Sequence, residues 1–191
     1  MQIIETDWKW KTSFENRGST KYIVLHHAAA SICSVADIHR WHQEKGWAGI
    51  GYHFFVRKDG SVYRGRPIGA VGAHCIPVNS ASVGICAEGN FQTDTMPDVQ
   101  RNAILELVEY LKRIYPGVVV NGHRELDATS CPGQNYPLEE LREGKKVVEP
   151  WKLEIMEKAL GIGLITEEHN PDDLAEKWFV LATIMNAIKK L

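Results

Sequence analysis

No apolar run in this chain approaches the roughly 18 residues needed to span a bilayer, so membrane insertion is not expected. The opening residues, Met1-Gln2-Ile3-Ile4-Glu5-Thr6-Asp7, are acidic and have no apolar core, so no secretory signal peptide is read there. No block of lysine or arginine occurs. The balance of 22 basic against 24 acidic residues, net −2, speaks against a nucleic-acid partner. No CxxC pair exists among the four cysteines, Cys33, Cys75, Cys86 and Cys131. Without a secretory signal they read as reduced thiols or metal ligands rather than a disulfide framework. An HExxH helix and a GxSxG elbow are both missing, which counts against a zinc protease of that type and a serine hydrolase. Low-complexity stretches and internal repeats are missing too.

What is present is an ordinary globular composition, 44% hydrophobic and 24% charged over 191 residues, enough to bury a core. Histidine and tryptophan are unusually frequent, at eight and six. All the histidines except His169 lie in the first 123 residues, which places the chemistry there. Residues 1–20 are polar and aromatic with no period and read as an ordered arm. Tyr22-Ile23-Val24-Leu25 reads as a buried strand ending at His26-His27. Ser34 and Asp37 box a helix with Val35, Ile38, Trp41 and His42 on one face, stopped by Gly46. Tyr52 to Val56 is an expected strand, Lys58-Asp59-Gly60 a hairpin turn, and Ser61 to Arg64 the return strand. Residues 65–82 read as a long surface loop. Val83 to Ala87 is a further strand. Thr95 and Asp98 box a second helix, with Pro97 in its first turn and a stripe of Ile104, Leu107, Val108, Leu111 and Ile114. Val118 to Val120 is the last strand. The fold class is α/β (α+β), a mixed β-sheet flanked by helices.

The texture changes near Gly144. Residues 1–143 read as the catalytic domain, 144–150 as a linker, and 151–191 as a helical segment with helices over 151–162 and 171–190. The apolar residues of that segment need a partner: the first domain, a cell-wall surface that would make it a binding module, or a second chain in a dimer through these helices.

His26 and His123 each follow a strand directly, and Cys131 lies eight residues after His123. Two imidazoles and a thiolate suit tetrahedral Zn²⁺ with one position open to water. This spacing matches no common zinc-finger pattern, so the residues alone leave metal binding open. His39 and His42, three apart on a helix, are a second but weaker pair. Cys33, Cys75 and Cys86 read as small buried hydrophobes.

A run of blocks carries more. Leu25-His26-His27, Gly46-Trp47, Gly49-Ile50-Gly51-Tyr52-His53-Phe54, Asp59-Gly60, Tyr63, Gly65-Arg66, Gly72-Ala73-His74, Ser82-Val83-Gly84-Ile85, Gly89-Asn90-Phe91, Gly122-His123-Arg124-Glu125 and Thr129-Ser130-Cys131-Pro132-Gly133 occur in order. Over about residues 20–142 this resembles the zinc-dependent N-acetylmuramoyl-L-alanine amidases. That family includes T7-lysozyme-like phage endolysins and the animal peptidoglycan recognition proteins. The resemblance implies a mixed sheet with a zinc site in a groove, ligands His26, His123 and Cys131, and His27 as a neighbour only. It implies cleavage of the amide between N-acetylmuramic acid and L-alanine of bacterial peptidoglycan. Tyr52 falls on the family tyrosine that would orient the attacking water or stabilise the oxyanion. Thr129 stands where T7-like enzymes carry lysine, offering a hydroxyl but no charge. A glutamate base found in another branch falls near Cys86, and Glu88 projects to the same side further along. His74 and Asn79 of the long loop are expected to line the groove for glycan or peptide. A cytoplasmic phage or prophage endolysin, acting on the wall after release, fits this set. The alternative is a non-catalytic recognition module, which would commonly replace the cysteine ligand by serine.

Overall fold

In the computed structural model, residues 2–144 and 150–165 are described. The chain divides into two compact units, Met1–Lys146 and Val147–Leu191. The first unit is built on a six-stranded sheet, with β1 (Ile3–Ile4), β2 (Tyr22–His27), β3 (Phe54–Val56), β4 (Val62–Arg64), β5 (Ser82–Ala87) and β6 (Val119–Gly122) in the order β1-β4-β3-β5-β2-β6. The β3–β4 hairpin is antiparallel and every other pairing is parallel.

The adjacent interior strands β5 and β2 are buried on both faces, which is why they read as continuous apolar runs rather than alternating ones. Their residues still alternate between faces. Ile23, Leu25, Val83 and Ile85 point into a core closed by helix α2 (Asp98–Ile114) and helix α3 (Leu138–Glu143). Cys86 points the other way, into a second cluster with Phe55, Ile50 and the helix α1 (Val35–Glu44) residues Val35 and Ile38. His26 is in register with Cys86 on the neighbouring strand, so it shares that second face.

Helix α1 starts with the expected capping box, Ser34 with Asp37. Helix α2 starts differently from expectation. Pro97 is the N-cap rather than a first-turn residue, no side chain caps it, and Asp98 pairs with Arg101 instead of with Thr95. Ile104, Leu107, Val108 and Leu111 are buried as expected, but Ile114 is 41% exposed because the stripe leaves the sheet at the last turn. At the other end of the helix, in its first turn, Gln100 is fully buried, and its side-chain amide donates to the carbonyls of Val56 and Glu88. Tyr52 and His53 precede strand β3 rather than opening it, since His53 N–H bonds across to Gly84. The loop after β4 contains a short 3₁₀ turn, Ile76–Ala81. The N-terminal arm adds β1 to the sheet edge and is pinned by Arg17. That guanidinium donates to Thr20 and to the carbonyls of Ile68, Ala70 and Ser82.

In the second unit, helix α4 spans Pro150–Gly161. The helix expected over 171–190, and with it the suggested dimer contact, lies outside the described residues. No helix among the described residues is long and apolar enough to cross a membrane.

Several histidines serve the fold by accepting backbone N–H groups at Nδ1. His42 accepts from Gly51 at 2.9 Å and His53 from Gly84 at 3.0 Å. His39 accepts from Ile50 at 3.4 Å and His27 from Phe91 at 3.1 Å. A ring that accepts there must be neutral, and burial lowers His42 to about 4 and His53 to about 3. Their stabilisation is fully present above the unfolded value near 6.5 and is lost as pH falls through those folded values. Denaturation midpoints measured from pH 8 downward should therefore stay level to about pH 6.5 and then drop, each of these two rings contributing up to ~2 kcal/mol of loss by pH 4.5. Unchanged stability down to pH 4.5 would contradict the neutral-acceptor role.

Candidate active site

His26 is the fifth residue of β2, held rigid by parallel neighbours on both sides, β5 and β6. His123 follows β6 immediately, at the start of a short 3₁₀ turn, His123–Glu125. Cys131 lies at the far end of the next loop, and that loop is closed by local bonds. Arg124 N–H donates to the Cys131 carbonyl at 2.7 Å, and the Arg124 side chain donates to the Gly133 carbonyl at 2.7 Å. Glu125 accepts from the Gly122 N–H and pairs with Arg142 at 2.6 Å, tying the turn to α3. The Cys131–Pro132 peptide is cis.

These three residues converge. One ligand atom from each of His26, His123 and Cys131 lies within 4.8 Å of the others. Cys131 Sγ is 3.7 Å from His26 Nδ1, and the two imidazole rings are 4.6 Å apart. Burial, and then the neighbouring His123 and His27, push the His26 pKa well below its usual value. His123 is lowered by burial, partly opposed by Asp127. Both imidazoles are therefore neutral and keep a lone pair to offer. Burial raises Cys131 to about 11, so it is a thiol that a bound cation would deprotonate. His123 Nε2 is buried without a hydrogen-bond partner, its nearest carboxylate oxygen being Asp127 Oδ2 at 3.7 Å. Two neutral imidazoles and a thiol that converge fit Zn²⁺ by donor chemistry.

Tyr52 stands beside this set, its ring 5.0 Å from that of His26. Burial raises its pKa well above the usual value, with the neighbouring Cys86 and Cys131 adding to the effect. It is a neutral O–H donor. Thr129 is exposed, and its Oγ1 accepts the Cys131 N–H at 3.2 Å, which leaves the hydroxyl hydrogen free to donate outward.

Of the two loop residues expected to line a groove, His74 lies buried against His26, and Asn79 is half-buried in the loop. His74 is only 9% exposed and its Nδ1 is 3.0 Å from His26 Nε2. Asn79 Oδ1 is occupied by the backbone N–H groups of His74 and Cys75, both at 2.9 Å. His39 and His42 hold backbone N–H groups of residues 50 and 51 and take no part in the ligand set. Cys33, Cys75 and Cys86 are buried, as expected. The residues that sequence reasoning missed are the supports, Arg124, Glu125 and Asp127. Arg124 and Glu125 stand in the motif block with His123, but as loop charges they carry no sign of the bonds that close the loop.

A profile of the N-acetylmuramoyl-L-alanine amidases matches residues 16–134, more than half of the chain and all of the site. The chain belongs to the N-acetylmuramoyl-L-alanine amidase family. It is 36% identical over 130 residues to the endolysin of Klebsiella phage KP32, covering 64% of this chain and 86% of that protein. It is 39% identical over 137 residues to peptidoglycan-recognition protein SC2 of Drosophila melanogaster, covering 65% and 73%. The solved N-acetylmuramoyl-L-alanine amidase LysC from Clostridium intestinale superposes with a TM-score of 0.73 at 36% identity, over 78% of this chain and 99% of that one. The fold class expected from the sequence, a mixed sheet flanked by helices, is thus the one found, with strand β1 and helix α3 added to the elements read from it.

The amidase's Glu88 has a settled role of another kind. Its carboxylate is 2% exposed, accepting from Cys33 N–H at 3.1 Å and Lys58 N–H at 3.0 Å, and paired with Arg57 at 3.3 Å. A carboxylate with both oxygens so engaged is a brace for the α1 approach, not a free base. Glu88→Ala should cost on the order of 2–4 kcal/mol of stability, because two buried N–H groups lose their acceptor. Turnover per folded molecule should stay within a few-fold. A stable variant with turnover lowered 100-fold would return Glu88 to the chemistry.

Proposed function

We propose that this amidase is a zinc-dependent peptidoglycan hydrolase of the endolysin type. It cleaves the amide between the lactyl group of N-acetylmuramic acid and L-alanine of the stem peptide. The observation that carries this reading is the convergence of His26, His123 and Cys131 at the carboxyl ends of β2 and β6, with Tyr52 beside them. Crevices at the carboxyl ends of parallel strands are where open α/β sheets bind ligands. The endolysin reading is supported by likeness to the Klebsiella phage protein. Action on the wall after release from the host cytoplasm follows from it. The presence of Cys131 favours a hydrolase over a recognition module.

His26, through Nδ1, with His123 and Cys131 would hold the ion. When bound, Zn²⁺ supplies Lewis-acid polarisation of the scissile carbonyl and a lowered pKa for water. The chain's own groups do the rest. Tyr52 donates its hydroxyl hydrogen to the oxygen that becomes negative as the carbonyl turns tetrahedral. It is aligned before reaction by packing against His26 and His42, so little reorganisation opposes it. Thr129 adds a second, uncharged donor at the rim and fixes the Cys131 backbone at the same time.

Digestion of purified walls with the protein should release new N-terminal alanine, in step with zinc content. Cys131→Ser should lose both metal and activity, since serine is a poor zinc ligand at neutral pH. Tyr52→Phe should keep its zinc and lose on the order of 100-fold in the rate at saturating substrate. Thr129→Ala should lose less, because water replaces part of an exposed neutral donor. Full turnover in Cys131→Ser would overturn the ligand set.

We further propose that the segment after residue 150 serves wall attachment rather than catalysis. All the site residues named above lie in the first unit. A chain ending at residue 146 should therefore bind zinc and cleave small muropeptides while losing affinity for intact walls. Failure of that shortened chain to fold would place the boundary elsewhere.

A further inference from the structure

The ligand set proposed above requires His26 to offer a bare Nδ1, and the inference drawn here rests on that reading. A neutral imidazole has one hydrogen for two nitrogens, and its neighbours decide which carries it. In this fold the decision starts two side chains away. The Val78 carbonyl can only accept, so the Ser82 hydroxyl, 2.8 Å away, donates its single hydrogen there. The Ser82 oxygen is then an acceptor toward His74 Nε2 at 3.4 Å. His74 Nε2 therefore carries the hydrogen of that ring, and its Nδ1 is bare. His26 Nε2 lies 3.0 Å from that bare nitrogen and must be the donor. His26 Nδ1 is left without a hydrogen, facing Cys131 Sγ at 3.7 Å.

We propose that Val78, Ser82 and His74 form a tautomer-setting relay that fixes His26 with its Nδ1 lone pair toward the metal position, His74 and Ser82 being positioning residues. The slot around His74 is built for this. A Cβ on Gly72 would sit 2.5 Å from the His74 ring, and one on Gly84 would sit 2.6 Å from it, so only glycine admits the ring on both sides. Asn79 holds the loop by taking the N–H groups of His74 and Cys75. Ser82 is fully buried, so bulk water does not compete for its hydroxyl. Outer partners of this kind orient ligand histidines and raise their basicity.

The test begins on the full-length wild-type protein stripped of metal. Imidazole ¹⁵N NMR should show His26 protonated at Nε2 and bare at Nδ1, and His74 likewise. Zinc affinity is then measured by competition with a chelating dye. His74→Leu should bind zinc on the order of 10–100-fold more weakly, and Ser82→Ala less so. His74→Asn places an amide oxygen near the position of Nδ1 and should recover most of the affinity, which mere filling of the slot would not do. His26 found protonated at Nδ1 in the metal-free wild type overturns the relay, and so does wild-type zinc affinity in His74→Leu. If His74→Leu does not fold, the wild-type spectrum and the His74→Asn and Ser82→Ala affinities still decide. Wild-type protein that binds no zinc but shows the stated tautomers would sink the metal reading and leave the relay standing.

Discussion

Desolvation of histidine is the constraint on which the rest of this structure depends. Moving an imidazolium out of water is costly, so a buried ring stays neutral and has one nitrogen that donates and one that accepts. The first unit uses the accepting nitrogen repeatedly. His27, His39, His42 and His53 each take a backbone N–H at Nδ1, and in doing so they pin residues 49–51, the turn at Phe91 and the middle of β5. Among the described residues, the site is the one place where an imidazole nitrogen faces a thiol instead of an amide. Metal-ligand chemistry and loop anchoring here draw on the same property of the same side chain.

The topology then determines where that exception falls. Strand β2 sits between β5 and β6, all parallel, so the three strands bring their carboxyl ends to one edge of the sheet. Leu25 and His27 face the α2 side while His26 faces the α1 side, because alternate residues point oppositely. Having two histidines in succession thus gives one ring to the site and one to the opposite core, where His27 stacks on Phe91. His123 arrives from the neighbouring strand without any long-range adjustment. Cys131 needs the loop from Arg124 to close on itself, and the Arg124–Cys131 backbone bond does that.

How much of this was legible in the sequence depends on the range of the interaction. The strand run Tyr22 to Leu25, the Ser34–Asp37 capping box and the Asp59-Gly60 turn are local signals, and the structure has them. The ligand set was legible only as ordered motifs, since the seven residues between His123 and Cys131 describe a closed loop that no periodicity encodes. His74 reads as exposed because it lies in a loop rich in glycine and proline, whereas its ring is drawn inward against His26. Gln100, Arg17 and Arg66 were invisible for a related reason. Each is a polar side chain, buried for Gln100 and Arg66 and half-buried for Arg17, that is held by bonds to backbone carbonyls, and carbonyls leave no trace in the pattern of side chains. Strand β1 is two residues long, too short for a pattern to form.

The charge distribution at the site follows from what each carboxylate already does. Glu88 is spent on Cys33, Lys58 and Arg57, and its neighbour on the strand, Cys86, is a buried thiol held well above its usual pKa by burial. Asp127 stands 3.7 Å from His123 on the outer side. Two neutral imidazoles and one thiolate would leave a bound divalent ion with one uncompensated positive charge. A tetrahedral intermediate at an amide carbon develops one negative charge on oxygen, and attraction in a low-dielectric pocket is strongest when nothing else neutralises that positive charge first. A carboxylate in the place of Cys86 would weaken that attraction while offering a base. This chain has instead an uncharged thiol beside a neutral tyrosine, an arrangement that on the proposed reading would suit stabilisation of the oxyanion rather than general-base chemistry at this position.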